Sequence, residues 1–523
     1  MYLERITAEK DRLVFRLRET DISSVRLTEY TPVLKESTIV SEHMLPVENG
    51  VFSLARYDGA HDRLYSRYSA YTGGEASDGA AFVTDFTPDV PENKDPFPAF
   101  STKKTLYGTD EDIKELGLCQ TLMNISLPAI MTTVPGNNSL PFEHDGKNYY
   151  FIKSEIDKID GELTRVHNFG LSVTLILLNS PRLFGSKQEK ALLDECIHPG
   201  FDWEYQSAFI SAFDVETLSG IGYYRAFVEF LVSRYTKPGA PFACVVGAII
   251  SNEVNSQYVW GNAGEMPVSE YAREYAMALR QAWLAGKKHQ AAFRVYASFD
   301  QHWHGSVHNL RQPLRYYEGR KLIDHLNSII QAEGDFPWCV AYHPYPEDLR
   351  WPDFWHDRAP DFTFSTPKIT FKNMEVLEAY LSQPHYLYRN EPRRIIFSEQ
   401  GFNSHSGALQ SLTEKMAEAG YVLAYMKARN MKTVDMFMHH SYIDNPREFG
   451  LNLGIRRYDE TAPHHAGEKK PIYYAVRDMD TEQEPERIQR ARAFIGDELF
   501  DYLLHPPIRL GDRDTSKDGD FGG

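Results

Sequence analysis

The sequence lacks any apolar run of the ~18 residues that a membrane-spanning helix needs. Its first residues, MYLERITAEK, also lack the apolar core of a signal peptide. No membrane partner is therefore expected. The default expectation is a cytoplasmic protein, or a secreted one if a leader has been removed.

Cysteine is scarce, with four residues in 523, and its spacing matches no zinc-binding motif. Cys119, Cys196, Cys244 and Cys339 are far apart, and three of them lie in apolar runs. We predict buried thiols and not disulfides. No glycine-rich phosphate loop follows a predicted strand, so nucleotide chemistry is not expected and no cofactor or metal is predicted.

Positive charge is also in deficit, because 56 Lys and Arg face 73 Asp and Glu and the formal net charge is −17. Such a charge repels nucleic-acid phosphates, so a nucleic-acid partner is not expected. A neutral ligand suits it better. The aromatic content of 13% is usual in proteins whose clefts contact the flat apolar faces of ligands.

Three regions differ in their patterning. Residues 1–95 contain short β-branched and aromatic runs, which predict a small β-rich accessory domain. Residues 96–485 alternate apolar runs with amphipathic segments, the pattern of βα units around a parallel sheet. Residues 486–523 are predicted to form a C-terminal helix followed by a flexible tail, RDTSKDGDFGG.

Eight strand-like runs occur in the central region, and their number favours a closed barrel over an open sheet. They begin near residues 103, 118, 171, 245, 294, 339, 393 and 434. The predicted fold is therefore an α/β (β/α)₈ TIM barrel with a small N-terminal β-rich domain. Among the helices between the strands, one is predicted to begin at a Thr109 cap and another to end at Gly286.

The C-terminal ends of these predicted strands are polar, which matters because barrel enzymes carry their catalytic groups there. Glu253 follows the fourth run and Glu399 follows the seventh. Nine further residues at strand ends are predicted to bind substrate: Asn124, Asn179, Asn252, His302, Trp303, His343, Tyr345, His439 and His440.

The two glutamates indicate the type of reaction that the protein catalyses. An unpaired carboxylate directed into the barrel core would cost several kcal/mol, so both Glu253 and Glu399 must face a polar site. Strands 4 and 7 lie nearly opposite each other across the mouth. Two carboxylates that flank a ligand are what glycosidic cleavage requires, since one protonates the departing oxygen and the other attacks the anomeric carbon or activates water. The alternative is that each glutamate is a salt-bridged rim residue.

The motifs SNE at strand 4 and SEQGF at strand 7 resemble the acid/base and nucleophile motifs of clan A retaining glycoside hydrolases. The resemblance covers residues 100–480, and within the clan the sequence resembles glycosidase-like proteins of gut bacteria. It implies Glu253 as the acid/base, Glu399 as the nucleophile and a carbohydrate substrate cleaved by double displacement at a β-linked glycoside. It further implies that Asn252 binds the sugar 2-hydroxyl.

The same resemblance implies that Tyr345 or His343 holds the nucleophile. Two departures leave the sugar open. Strand 2 lacks the arginine that several clan families place beside the nucleophile, and strand 8 offers His439 and His440 where a tryptophan is common. Aromatic residues follow several strands, Trp260 among them, and are expected to stack on sugars or to pack their own loops.

Two other functions stay open at this stage. Histidines at strand ends, His302, His304, His343, His439 and His440, could together hold a metal and make a metal-dependent barrel hydrolase. A non-catalytic carbohydrate-binding barrel is the third reading. The sequence leaves open whether the chain forms a homo-oligomer.

Overall fold

The computed structural model describes residues 1–305 and 307–512, without the side chains of residues 307 and 308. The tail predicted to be flexible, residues 513–523, lies outside the described residues. None of the described helices combines the length and apolarity needed to cross a bilayer. Cys119, Cys196, Cys244 and Cys339 are free thiols, as predicted, and all except the half-buried Cys119 are buried.

A closed barrel of eight parallel strands forms the centre of the molecule, which confirms the predicted fold. Each strand pairs with the next, and the first closes on the eighth through the register Lys104↔Phe437. We number them barrel strands 1 to 8 in chain order: Lys104–Thr105, Gln120–Ser126, Ser172–Leu178, Val245–Ile250, Arg294–Phe299, Cys339–Tyr342, Ile395–Phe397 and Val434–Met438.

The barrel strands are apolar because both of their faces are covered. All six residues of barrel strand 4, VVGAII, are buried. One set of side chains fills the barrel interior: Leu122, Ile249, Tyr296, Cys339, Ala341, Ile396 and Met436. The alternate residues of the strands face outward and pack against the surrounding helices in the main hydrophobic core.

Helices connect the strands and cover the barrel. The α-helices from barrel strand 1 onward are Asp110–Glu115, Leu127–Ile130, Lys153–Asn168, Lys190–Cys196, Leu218–Tyr235, Gln257–Trp260, Val268–His289, Val307–Arg311, Gly319–Ala332, Glu375–Leu381, Gln410–Asn430 and Pro471–Asp478. The Thr109 cap is confirmed, since its hydroxyl accepts a hydrogen bond from the Asp112 N–H.

The helix predicted to end at Gly286 continues to His289, so that prediction is wrong. A Cβ at Gly286 would come within 2.1 Å of the Phe293 ring, so glycine is needed there for close packing.

The N-terminal region is rich in strands, as predicted. Its longer strands are Tyr2–Ala8, Arg12–Leu17, Ser24–Tyr30, Ile39–Pro46, Val51–Ala55 and Arg67–Thr72. They form two small sheets, one around Tyr2–Ala8 and one around Ser24–Tyr30. This region contacts the outer side of the barrel, where the Tyr65 hydroxyl donates to Glu229 at 2.6 Å and Phe86 packs against Trp283.

Two further features follow the barrel strands. A three-stranded antiparallel sheet, formed by Met131–Thr132, Ser139–His144 and Lys147–Ile152, is inserted after barrel strand 2. The single C-terminal helix predicted within residues 486–523 is two helices, Glu484–Ile495 and Asp497–Leu504. Gly496 separates them with a backbone φ of +97°, a conformation that favours glycine.

Candidate active site

The C-terminal ends of the barrel strands surround one cavity of about 970 Å³. Eight of the eleven predicted site residues line it: Asn124, Asn252, Glu253, His302, His343, Tyr345, Glu399 and His440. The parallel barrel brings these residues together because all eight strands end at the same face.

Glu253 and Glu399 face each other in this cavity. A carboxylate oxygen of each lies within 4.8 Å of the other and of a ring nitrogen of His343. Of the described residues, no Lys or Arg forms an ion pair with either glutamate. Neither glutamate is therefore paired with a lysine or arginine at the rim, and the ion-pair partner of Glu253 is the buried His343.

The chain takes a strained path as it leaves barrel strand 4. Ser251 and Glu253 have φ values of +63° and +39°, in the left-handed region that non-glycine residues rarely adopt. The Glu253 N–H donates to Ser298 Oγ at 3.0 Å, which helps to hold this turn. Such strain persists only where the surroundings fix it, and it is concentrated at functional sites.

His343 connects the two strands that carry the glutamates. Its Nδ1 lies 2.8 Å from Glu253 Oε1 and its Nε2 lies 3.1 Å from Ser398 Oγ, next to Glu399 in the chain. Burial lowers the pKa of His343, but the negative charges of Glu399 and Glu253 outweigh it and leave the pKa raised. Nδ1 of His343 is therefore at hydrogen-bond distance from the Glu253 carboxyl, and either group can carry the proton between them.

The pKa of the Glu253 carboxyl is raised from its ordinary 4.5, first because the group is buried. The neighbouring charges of Asp300 and Glu399 raise it further, while the hydrogen bond and charge of His343 oppose the shift. Glu253 thus keeps its proton at a higher pH than an ordinary glutamate, which is what a general acid requires.

Tyr345 contacts the other carboxylate. Its hydroxyl donates to Glu399 Oε1 at 3.1 Å. Burial and the charge of Glu399 raise the pKa of Tyr345 well above its usual range, so the phenol keeps the proton that it donates. A hydrogen bond to a carboxylate stabilises its ionised form. Of the two residues implied as partners of Glu399, Tyr345 makes the contact, whereas His343 contacts Glu253.

Asp300, at the end of barrel strand 5, was not among the predicted site residues, although its position after an apolar strand was a usable signal. It accepts hydrogen bonds from the Asn255 side chain at 2.5 Å, from Ser256 Oγ and from the His302 backbone at 2.7 Å. Burial opposes its ionisation, but these bonds and the nearby His302 hold its pKa at about 2. In turn the Asp300 charge raises the pKa of His302, whose Nδ1 lies 3.0 Å away.

Glu448 is a second residue that the sequence analysis missed, and no local signal marks it, because it lies in a loop ten residues after barrel strand 8. It lies 3.3 Å from His440 Nε2 and lines the same cavity. Burial lowers the pKa of His440, yet the hydrogen bond to Glu448 and the charge of Glu399 leave it raised.

Three predicted substrate-binding residues lie outside the cavity lining and have structural contacts. The Asn179 amide is fully buried and donates to the backbone oxygens of Cys196 and Ala212 at 2.8 and 3.0 Å. Trp303 is buried and donates to the Phe364 carbonyl at 2.9 Å. The buried His439 forms a hydrogen bond through Nε2 with the Leu453 carbonyl at 2.9 Å, and burial lowers its pKa to about 3. These three residues were predicted to bind substrate because they lie at strand ends, but their side chains are buried against neighbouring residues.

The strand-end histidines do not converge on one point. His304 pairs with Glu318 at 2.6 Å and His439 contacts the Leu453 carbonyl, so the five histidines of the alternative metal site do not come together. Two other clusters of the described residues have metal-ligand spacing: Glu253, His343 and Glu399 in the cavity, and His198, Glu216 and Glu274 in the buried interior. In the second cluster His198 Nδ1 accepts from the Gly200 N–H, so its Nε2 carries the proton and donates to Glu274.

Fold and side chains together define this protein as a (β/α)₈ barrel with a paired-carboxylate site at the C-terminal face. Residues 96–502 match the family of unknown function DUF5722, and the chain belongs to that family. No protein of curated function matches its sequence.

Solved structures resemble the chain at low identity. A family 39 glycoside hydrolase from the gut symbiont Bacteroides cellulosilyticus WH2 is 11% identical with a TM-score of 0.42, over 91% of this chain and 81% of that one. A hyperthermophilic β-glucosidase mutant is 13% identical with a TM-score of 0.44, over 70% and 86%. The family 1 β-glucosidase from Thermotoga maritima is 12% identical with a TM-score of 0.42, over 70% and 83%. Similarity this low does not indicate an activity, so the function has to follow from the side chains of the site.

Proposed function

We propose that this protein is a retaining glycoside hydrolase that cleaves a β-linked glycoside, with Glu253 as acid/base and Glu399 as nucleophile. The observation that carries the proposal is the close approach of two unlike carboxyl groups, whose oxygens come within 4.8 Å in one cavity. One has a raised pKa, and the other accepts a hydrogen bond from Tyr345.

The separation favours retention of the anomeric configuration. Retaining enzymes hold their carboxyl groups about 5 to 5.5 Å apart, whereas inverting enzymes need about 6.5 to 9.5 Å to admit a water molecule between them. The distance between Glu253 and Glu399 belongs with the shorter class. The β-linkage follows from the resemblance of the two motifs to clan A.

Both chemical steps can be written with these side chains. In the first, Glu399 attacks the anomeric carbon while Glu253 gives its proton to the glycosidic oxygen, so that the carbon–oxygen bond breaks and the alcohol leaves. In the second, Glu253 takes a proton from water, the water oxygen attacks the anomeric carbon, and the bond to Glu399 breaks. The enzyme returns to its starting state and a free sugar is released.

Polar groups around the pair are suited to sugar hydroxyls. Asn124 and Asn252 line the cavity, and within the described part of the chain their amides have no protein hydrogen-bond partner. His302 and His440 also line this cavity and add imidazole rings to it. Amide and imidazole groups can each donate to or accept from a hydroxyl, as sugar recognition requires.

A panel of β-glycosyl fluorides tests the proposal, because fluoride leaves without needing a proton. Wild type should release fluoride from at least one sugar, and NMR of the first product should show the β anomer. Glu399→Ala should release none. An α anomer as first product would overturn the retaining mechanism, and no turnover of any glycoside would favour the non-catalytic binding barrel.

One observation favours a second candidate, a metal-dependent hydrolase: Glu253, His343 and Glu399 present three ligand atoms within 4.8 Å of one another. Against it, Nδ1 of His343 and Oε1 of Glu253 are 2.8 Å apart, a hydrogen-bond distance. Dialysis against a chelator separates the two candidates. We expect unchanged activity, whereas a loss that zinc or manganese restores would support the metal-dependent reaction.

A further inference from the structure

Beside barrel strands 3 and 4, the cavity lining carries a cluster of apolar side chains. Five side chains form it, and we call them the apolar wall: Leu183, Phe184, Phe209, Ile210 and Trp260. Within the wall, the only side-chain group able to form a strong hydrogen bond is the indole N–H of Trp260.

The apolar wall lies beside the strand of Glu253. Four of its residues come from the loop after barrel strand 3, and Trp260 ends the short helix that begins four residues after Glu253. The loop after barrel strand 8, next to Glu399, contributes both polar and apolar side chains to the lining: His440, Glu448, Phe449, Leu451 and Leu453. Because the acid protonates the oxygen of the leaving group, that group must lie on the side of Glu253.

Backbone hydrogen bonds fix the wall in place. The N–H groups of Phe209 and Ile210 donate to the Val259 carbonyl at 2.9 and 3.3 Å, and the Asn262 N–H donates to the Ile210 carbonyl at 2.8 Å. The rings of Phe209 and Trp260 pack with their centroids 5.3 Å apart. A ligand that binds here therefore meets a surface that is already ordered, which lowers the entropic cost of binding.

Arg182 holds the rest of the loop. Its guanidinium donates to the carbonyls of Trp203 and Tyr205 at 2.6 Å each and to that of Ala208 at 3.1 Å. Close to it in the chain, Phe184 has a φ of +56° and is 43% exposed. A bulky residue in the left-handed region is unusual, and here the conformation keeps an aromatic ring at the cavity rim.

We propose that the apolar wall receives an apolar aromatic aglycone, so that the substrate is the glycoside of an aromatic alcohol or phenol and not an oligosaccharide. This rests on the proposed glycosidase function. Among the side chains of this wall, a second sugar could bond its hydroxyl groups only to the Trp260 indole N–H, so most of them would gain no hydrogen bond from the wall. An aromatic ring loses no hydrogen bonds there and can pack on Phe209 and Trp260.

The first experiment compares leaving groups on one sugar. The β-glycosyl fluoride panel identifies that sugar without an aglycone. The benzyl β-glycoside is then compared with a disaccharide of the same sugar, because benzyl alcohol is no better a leaving group than a sugar hydroxyl. We expect kcat/KM for the benzyl glycoside to be at least about 10-fold higher.

The second experiment changes the wall. Phe209→Ala and Trp260→Ala should each raise KM for the benzyl glycoside about 10-fold while kcat/KM for the glycosyl fluoride stays within about two-fold of wild type. The fluoride reaction also shows that the variants are folded. Trp203→Ala is the matched control, since Trp203 is an aromatic residue of the same loop, 47% exposed, that does not line the cavity.

The outcomes separate the two proposals. If no glycosyl fluoride is hydrolysed, the glycosidase function fails and the aglycone proposal fails with it. If a fluoride is hydrolysed but the disaccharide reacts faster than the benzyl glycoside, only the aglycone proposal is overturned. Equal losses on fluoride and benzyl glycoside in the wall variants would also overturn it.

Discussion

His343 Nδ1 lies 2.8 Å from Glu253 Oε1, while the other ring nitrogen of His343 reaches Ser398 beside Glu399. One buried imidazole thus contacts the proposed acid/base and the turn that presents the proposed nucleophile. The contact stabilises the ionised form of Glu253 and works against the burial that raises its pKa. The two carboxyl groups therefore have different hydrogen-bond partners: His343 for Glu253 and Tyr345 for Glu399.

Replacing His343 should move the alkaline limb of the pH–rate profile. The hydrogen bond and charge of His343 lower the pKa of Glu253, so His343→Ala should raise that pKa and keep Glu253 protonated to higher pH. We expect the alkaline limb of kcat/KM to move to higher pH. His356→Ala, an exposed histidine, is the control, and a downward shift in His343→Ala would contradict the role.

Removing the Tyr345 hydroxyl should slow turnover. Tyr345→Phe deletes the hydrogen bond that Tyr345 donates to Glu399, so the proposed nucleophile loses the contact that positions it. We expect kcat to fall about 10- to 100-fold, measured by steady-state kinetics. Tyr107→Phe, at the cavity rim, should leave kcat unchanged.

The two glutamates should respond differently to substitution. Glu399→Ala should abolish turnover of every substrate, whereas Glu253→Ala should lose about 10²- to 10⁴-fold on alkyl glycosides and far less on glycosides with good leaving groups. Azide added to Glu253→Ala should yield the β-glycosyl azide, because azide takes the place of water on the covalent intermediate. If Glu253→Ala lost equal activity on both substrate types, the roles given to the two glutamates would be wrong.

Substitutions at Asn179 and Asn252 should have different effects, one on the stability of the fold and the other on substrate binding. Asn179→Ala removes two buried hydrogen bonds and should cost about 1 to 3 kcal/mol of unfolding free energy. Its effect on KM should be small. Asn252→Ala should leave the melting temperature unchanged and lower kcat/KM, since its amide faces the cavity. Thermal unfolding and kinetics on the same preparations check both outcomes.

The N-terminal region should contribute pH-dependent stability. His61 lies 2.7 Å from Asp145 and 2.8 Å from Glu29, and these hydrogen bonds raise its pKa from 6.5 to about 9. A raised pKa stabilises the fold fully below the unfolded value of 6.5, and this contribution is lost as pH rises through 9. His61→Ala should therefore cost on the order of 2 kcal/mol at pH 6 and little at pH 10. An equal cost at both values would show that His61 acts only by packing.

Much of the fold was predictable from the sequence because local patterns of apolar and polar residues determine the strands and helices. The eight apolar runs specified eight strands, and a carboxylate three residues after VVGAII or two residues after RIIF had to face a polar site. Positions 124, 252, 253, 302, 343, 345, 399 and 440 could be predicted because barrel strands place their last residues around one mouth.

Side-chain direction and long-range partners were not predictable in this way. Asn179, Trp303 and His439 also end strands, yet their side chains turn into the packing. A shift of one residue along a strand reverses the face, and single-sequence patterns do not fix strand ends that precisely. Glu448 reaches the cavity from a loop whose path depends on the rest of the structure.

The sequence by itself determined that the chain forms a (β/α)₈ barrel with glutamates at the ends of strands 4 and 7, because periodicity and the cost of burying charge are local properties. Only the tertiary structure decided that His343 contacts Glu253 and Tyr345 contacts Glu399, and that the apolar wall lies beside Glu253. Those relationships join residues far apart in the chain, and their distances exist only once the barrel has closed.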